Sequence, residues 1–264
     1  MSSTDLVRAE WRKARTMRLN WILLAIGVAY AAVQALMLVL IASGMLPGVP
    51  ADSGMLLEPA YVDTILGQAS SAATFALIVG IIAITGEFRH MTITSTFLAT
   101  PRRGRVLVAK GIVMACMGVV AALASVVVVV LVTAVALTPF AHAPITAASV
   151  LGVVVGAALG MALYAIVGLG FGSIVTNQVA AVVTALLWLL LIEPLAGLAF
   201  PVASRWLPGG ALNSALGVSM RADMSGGMAS AHLLPQWAGV LVLLGYAVVL
   251  AAVGTRTSIR RDIT

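Results

Sequence analysis

Glu87 closes an apolar run, and Arg89, Arg103 and Lys110 stand in the polar stretch that follows it. A carboxylate at the edge of hydrocarbon is costly without a partner, so these residues predict a structural clamp on that stretch. Glu193 stands directly before Pro194, near the end of another apolar run. Two roles suit it: a carboxylate resting in the polar interface, or a gate at an external exit. Gln68, Ser71 and Thr74 or Phe75 fall near one helical stripe, and Ser70 with Thr74 makes an i,i+4 pair. They either face a translocation cavity or hydrogen-bond between packed helices.

Covalent and metal chemistry find little support. Ser173 follows Gly170, Phe171 and Gly172, the wrong order for a nucleophile motif, and no histidine lies in a neighbouring run to activate it. His90, His142 and His232 are scattered over different loops, without an HExxH pair or a cysteine cluster to make a zinc site. The lone Cys116 makes no internal disulfide. The chain also lacks GxxxxGK[ST], so it has no loop to cradle nucleotide phosphates with backbone amides and a lysine. The chain is read as a non-enzyme with no cofactor of its own, and any ATP-driven function must draw on a partner.

These residues must be positioned by membrane-spanning elements. With 61% hydrophobic and 9% charged residues, the 264-residue chain has too little polar surface to cover a water-soluble globule. Its mean hydropathy is +1.11. Crossing hydrocarbon takes roughly 20 apolar residues, and such runs occur at 19–42, 65–85, 106–137, 148–175, 179–200 and 237–254. They are continuous and too long for β-barrel strands. The expectation is an all-α, six-span membrane protein forming one transmembrane domain over 1–264. The third run is long enough to project beyond the bilayer or tilt strongly.

Thirteen of the fifteen basic residues fall before the first run, between the second and third or in the first turn of the third (Lys110), which is expected in the cytosol, or after the sixth; Arg205 and Arg221 are the others. The positive-inside rule then places both termini in the cytoplasm. The formal charge of +6 reflects that topology, with lipid headgroups sufficient as partners and no nucleic acid implied. Ala29, Tyr30 and Ala31 resemble a cleavage site, but the apolar run continues to Ala42, so the first span is read as uncleaved.

Residues 6–18 interleave Leu6, Val7, Trp11, Ala14 and Met17 with basic residues, a pattern that suits a helix in the headgroup layer anchored by Trp11. The segment 201–236, punctuated by Pro208, Gly209, Gly210, Gly226 and Gly227, predicts short helices at the outer leaflet with Trp206 and Trp237 at interface depth. Gly152, Gly156 and Gly160, followed by Gly168, Gly170 and Gly172, allow close backbone approach, either within one subunit or across a dimer contact.

Glu87-x-Arg89-x-x-Thr92, then Phe97-Leu98-x-x-Pro101-x-Arg103, then Lys110 resembles the pattern after the second transmembrane helix of type-2 ABC transporter permeases. The basic N-terminal helix, six spans and longer external element agree with it. The motif covers residues 86–110 and the topology nearly the whole chain. The resemblance implies a permease subunit that pairs with a second, identical or related permease chain and with separate ATP-binding cassette subunits, which would carry ATP and Mg. It implies a cytoplasmic coupling helix at about 90–99, with Met91, Ile93, Phe97 and Leu98 as apolar docking residues. Arg102, Arg103 and Arg105 either support that element or simply enforce topology against lipid phosphates.

The function expected is therefore the membrane half of an ATP-driven exporter in a bacterial cytoplasmic membrane, passing an amphipathic drug, lipid or hydrophobic peptide. An ion-gradient-driven transporter or channel is the alternative, though the spans hold almost no charge beyond Glu87 and Glu193. A non-transporting membrane partner of an ATPase is a third reading.

Overall fold

A computed structural model describes residues 3–46, 53–90, 103–216 and 233–257. Among the described residues there is no strand, and six helical segments are long and apolar enough to cross a bilayer. This is the architecture of a multi-pass membrane protein.

The chain opens with α1 (Ser3–Thr16) and, after Met17 in extended conformation, continues as α2 (Arg18–Ala42). Side chains hold the break. Asn20 Nδ2 donates to the Ala14 carbonyl at 3.2 Å and Trp21 Nε1 to the Arg15 carbonyl at 2.9 Å, using acceptors that a helix end leaves open.

The second span, Pro59–Arg89, is composite. Its first part, α3 (Pro59–Gly67), starts with a proline in the first turn, where the missing N–H is no loss. A 3₁₀ segment, Gln68–Ala72, then leads into α4 (Ala73–Arg89). Apolar content alone places this span at 65–85, and the structure extends it at both ends. Asp63 is exposed, so its charge does not interrupt α3, while Glu87 is accommodated at the other end by ionic partners.

Next come α5 (Arg103–Leu137) and α6 (Ala147–Ile174). At 35 residues α5 is about 52 Å long, more than a hydrocarbon core. The cap of α6 is Thr146, whose hydroxyl accepts from the Ser149 N–H at 3.1 Å. The fifth span joins α7 (Gln178–Leu187), a π turn at Trp188–Ile192 and α8 (Glu193–Ala199). Pro194 explains the widened turn: it lacks an N–H and its ring crowds the carbonyl four residues before. Two short helices, α9 (Pro201–Ser204) and α10 (Pro208–Ala215), precede the last span, α11 (Gln236–Thr257). Residues 217–232 of the expected external segment lie outside the described residues.

Helix α6 is the hub, packed on α4, α5 and α11. Its crossing with α4 depends on paired glycines: a Cβ on Gly80 would collide with the Ala165 carbonyl, and one on Gly168 with the Leu77 carbonyl. Two backbones meet where both lack a side chain. Gly156 and Gly160 lie against Leu216 and Leu212, and Gly170 against Leu250. This glycine row thus packs within the subunit, except at Gly152, where an added Cβ would meet nothing within 4 Å. The fifth span is peripheral, with 11% of its apolar window buried against 72% for the second.

Candidate functional site

Two features combine sequence-singled residues with burial. The first is a four-residue ion cluster at the α1 end of the bundle. Glu87, in the last turn of α4, accepts at Oε1 from Lys110 Nζ at 3.0 Å and from Lys13 Nζ at 2.9 Å. Glu10 completes the ring, with Oε1 at 3.1 Å from Lys13 and Oε2 at 2.5 Å from Lys110. Each lysine therefore bridges both carboxylates, and the four formal charges cancel.

The cluster forms because α1 lies against α5. Leu6, Glu10 and Ala14 share one face of α1 at i,i+4 spacing and are all buried; Leu6 packs with Val106 and Ala109. Glu10 on that apolar stripe is the one sequence sign of a polar contact beneath α1. For Lys13, burial alone pushes the pKa down, but the hydrogen bond and charge of Glu87, with the charge and hydrogen bond of Glu10, outweigh it and leave the ammonium above its ordinary 10.5.

This arrangement corrects the partners anticipated for Glu87. Lys110 is one of them, but Arg89 is exposed and makes no ion pair among the described residues; Lys13 is the second partner, and Glu10 shares both lysines with Glu87. Sequence reasoning missed them because Lys13 stands 74 residues from Glu87 and α1 reads as a lipid-facing helix. Arg103 begins α5, and nothing further is described of its side chain. Met91, Thr92, Ile93, Phe97 and Leu98, with the coupling helix expected at 90–99, fall on 91–102, outside the described residues, apart from His90.

The second feature is a cavity of about 660 Å³ between α2, the 3₁₀ segment of the second span and the chain from the π turn to α10. Ser71, Thr74 and Glu193 line it together. Gln68 does not; it is buried beside the wall, where its Oε1 accepts from the Ser71 hydroxyl at 3.2 Å and its Nε2 donates to the Thr64 carbonyl at 3.2 Å. These two hydrogen bonds and its burial keep the Gln68 amide behind Ser71 rather than in the cavity.

Glu193 is held in place by two donors to the same oxygen. Trp188 Nε1 reaches Oε1 at 2.9 Å across the π turn, and the Gly209 N–H reaches it at 3.0 Å from the first turn of α10. A Cβ at Gly209 would run into Glu193 Oε2, so the glycine leaves the carboxylate its place. Tyr30, Gln34, Tyr164, Arg205 and Asn213 also line the cavity, and sequence reasoning passed over them. Gln34, an amide in the middle of the first apolar run, was the available signal. Tyr30 is positioned by an aromatic contact with Phe75, ring centroids 5.9 Å apart.

Ser173 donates to the Gly170 carbonyl at 2.6 Å and is buried, which suits packing. Among the described residues no group of three or more His, Cys, Asp or Glu side chains is arranged to hold a metal. No protein-family model matches the chain, and no curated protein matches it significantly.

Proposed function

We propose that this chain is the permease subunit of an ATP-driven exporter, carrying an amphipathic substrate and coupled to separate ATP-binding cassette subunits. The observation that supports the reading most directly is the Glu10–Lys13–Glu87–Lys110 cluster. It joins the end of α4 to the start of α5, the two helices between which residues 91–102 run. A load applied to those residues by a partner is then delivered to α1, α4 and α5 as one body. The long α5 carries it along the bundle, while α4 carries it toward the 3₁₀ segment in the cavity wall.

On this reading Glu87, Arg89, Met91, Thr92, Ile93, Phe97, Leu98 and Arg103 form the coupling surface. Both termini face the cytoplasm of a bacterial cell, ATP and Mg²⁺ reside on the partner, and a second permease chain completes the pathway. Ser71, Thr74 and Glu193 line the path, with Gln68 behind them. Anionic lipids meet the basic flanks.

The test is purification of the tagged protein in mild detergent, with mass spectrometry and an ATPase assay of the complex. A stoichiometric ATP-binding partner that is lost on Phe97→Ala, while the variant still inserts in the membrane, is the expected result. A folded protein with no such partner, whose transport follows an ion gradient and survives ATP depletion, would overturn it in favour of gradient-driven transport through Glu193.

A further inference from the structure

The cavity carries two opposite charges that do not neutralise each other. Glu193 and Arg205 both line it, yet no ion pair joins them among the described residues. Glu193 takes both of its hydrogen bonds at Oε1. Arg205 Nε is buried without a hydrogen-bond partner among the described residues, and its guanidinium lies 5.7 Å from the centroid of the Trp206 ring. Leaving the buried Nε of a charged side chain without a partner is costly. Such an arrangement makes physical sense where a ligand brings the missing charges.

A singly charged amphipath meets only half of this requirement. A cation compensates Glu193 but faces the like charge of Arg205, and an anion does the reverse. A ligand with both charges answers each. Around the charges, Gln34, Ser71 and Asn213 offer neutral hydrogen-bonding groups, while Leu198, Leu212 and Leu216 offer apolar wall. The volume of about 660 Å³ falls within the range of small-molecule sites.

We propose that this cavity binds zwitterionic amphipaths, with the ligand's ammonium at Glu193 and its phosphate or carboxylate at Arg205. The inference rests on the reading of the cavity as a substrate path and names the substrate class. The same chemistry is offered by a single-chain zwitterionic lipid and by a short hydrophobic peptide with free termini.

Binding is measured by calorimetry on the whole protein in nanodiscs, with empty nanodiscs subtracted, and Trp188 and Trp206 serve as fluorescence reporters beside the two charges. The probes are octylphosphocholine, octyltrimethylammonium, octyl sulfate and uncharged octyl glucoside, with trileucine and its doubly blocked form as the peptide pair. Octylphosphocholine, free trileucine or both bind about tenfold or more tighter than their singly charged or uncharged counterparts, a difference near 1.4 kcal/mol. Selectivity in the octyl series identifies the lipid-like source, and selectivity in the peptide pair identifies the peptide source. Glu193→Gln and Arg205→Gln each abolish the preference while octyl glucoside still binds, which shows that the site is intact. Octyltrimethylammonium or octyl glucoside binding as tightly as octylphosphocholine, with no preference for free trileucine, overturns the charge assignment and leaves the cavity as an amphipath site. Failure of every probe to bind overturns the substrate-path reading itself. If either variant loses folding, the selectivity of the unmodified protein decides.

Discussion

Glu10 Oε2 lies 2.5 Å from Lys110 Nζ across 100 residues of sequence, and both side chains are buried. That contact makes the N-terminal helix part of the bundle rather than an appendage to it. A buried ion pair of this kind is weak evidence for net stability, because desolvation offsets much of the attraction, but breaking it exposes the imbalance.

Lys110→Met leaves the Glu10 and Glu87 carboxylates sharing Lys13 alone. We expect it to destabilise the protein by about 3 kcal/mol, read as a lowered unfolding temperature in detergent. Adding Glu87→Met, which leaves one carboxylate and one lysine, recovers part of that loss. A double variant no more stable than the single one would show that the four residues do not act as a charge-balanced unit.

Lys13 responds to alkaline pH. Its folded pKa lies above 10.5 because Glu87 and Glu10 outweigh the effect of burial. The raised value means that its contribution to stability is fully present below pH 10.5 and is lost as pH rises through the folded pKa. The stability difference between the natural protein and Lys13→Met therefore stays constant up to that pH and narrows above it. The check is thermal unfolding of both proteins at stepped pH.

At the α4–α6 crossing, Gly80→Ala and Gly168→Ala each force a methyl group against a backbone carbonyl. Overpacking of this kind costs about 1–3 kcal/mol. Gly152→Ala, with no atom within 4 Å of the added carbon, meets no such clash, and the better helix propensity of alanine acts in the opposite direction by up to about 1 kcal/mol. Comparing the three by thermal unfolding separates close packing from a general intolerance of substitution.

Gly209→Ala displaces the Glu193 carboxylate, since the new Cβ needs the space of Oε2. The Trp188 indole then loses its fixed acceptor, and its fluorescence shifts. Gly197→Ala, also in the cavity wall but with open space at its Cβ, leaves that signal unchanged. Equal spectra for the two variants would mean that Gly209 does not hold Glu193.

The sequence by itself determined the solvent of this protein and the number of its spans. Six long apolar runs in a chain with 9% charged residues admit no other use of the backbone than helices that satisfy their own hydrogen bonds. It also marked Glu87, Glu193 and the Ser71–Thr74 region, because polar groups within such runs are costly enough to stand out. What it left open was who meets whom. The pairing of Glu87 with Lys13 depends on where α1 lies, and the placement of Gln68 behind the cavity wall depends on the hydrogen bonds and packing that bury its amide. The convergence of Glu193, Arg205 and Gln34 on one cavity depends on α2, the fifth span and the following short helices folding together. Periodicity reports which face of one helix is apolar, whereas neighbours across the bundle are decided by packing between helices, and only the tertiary structure contains that.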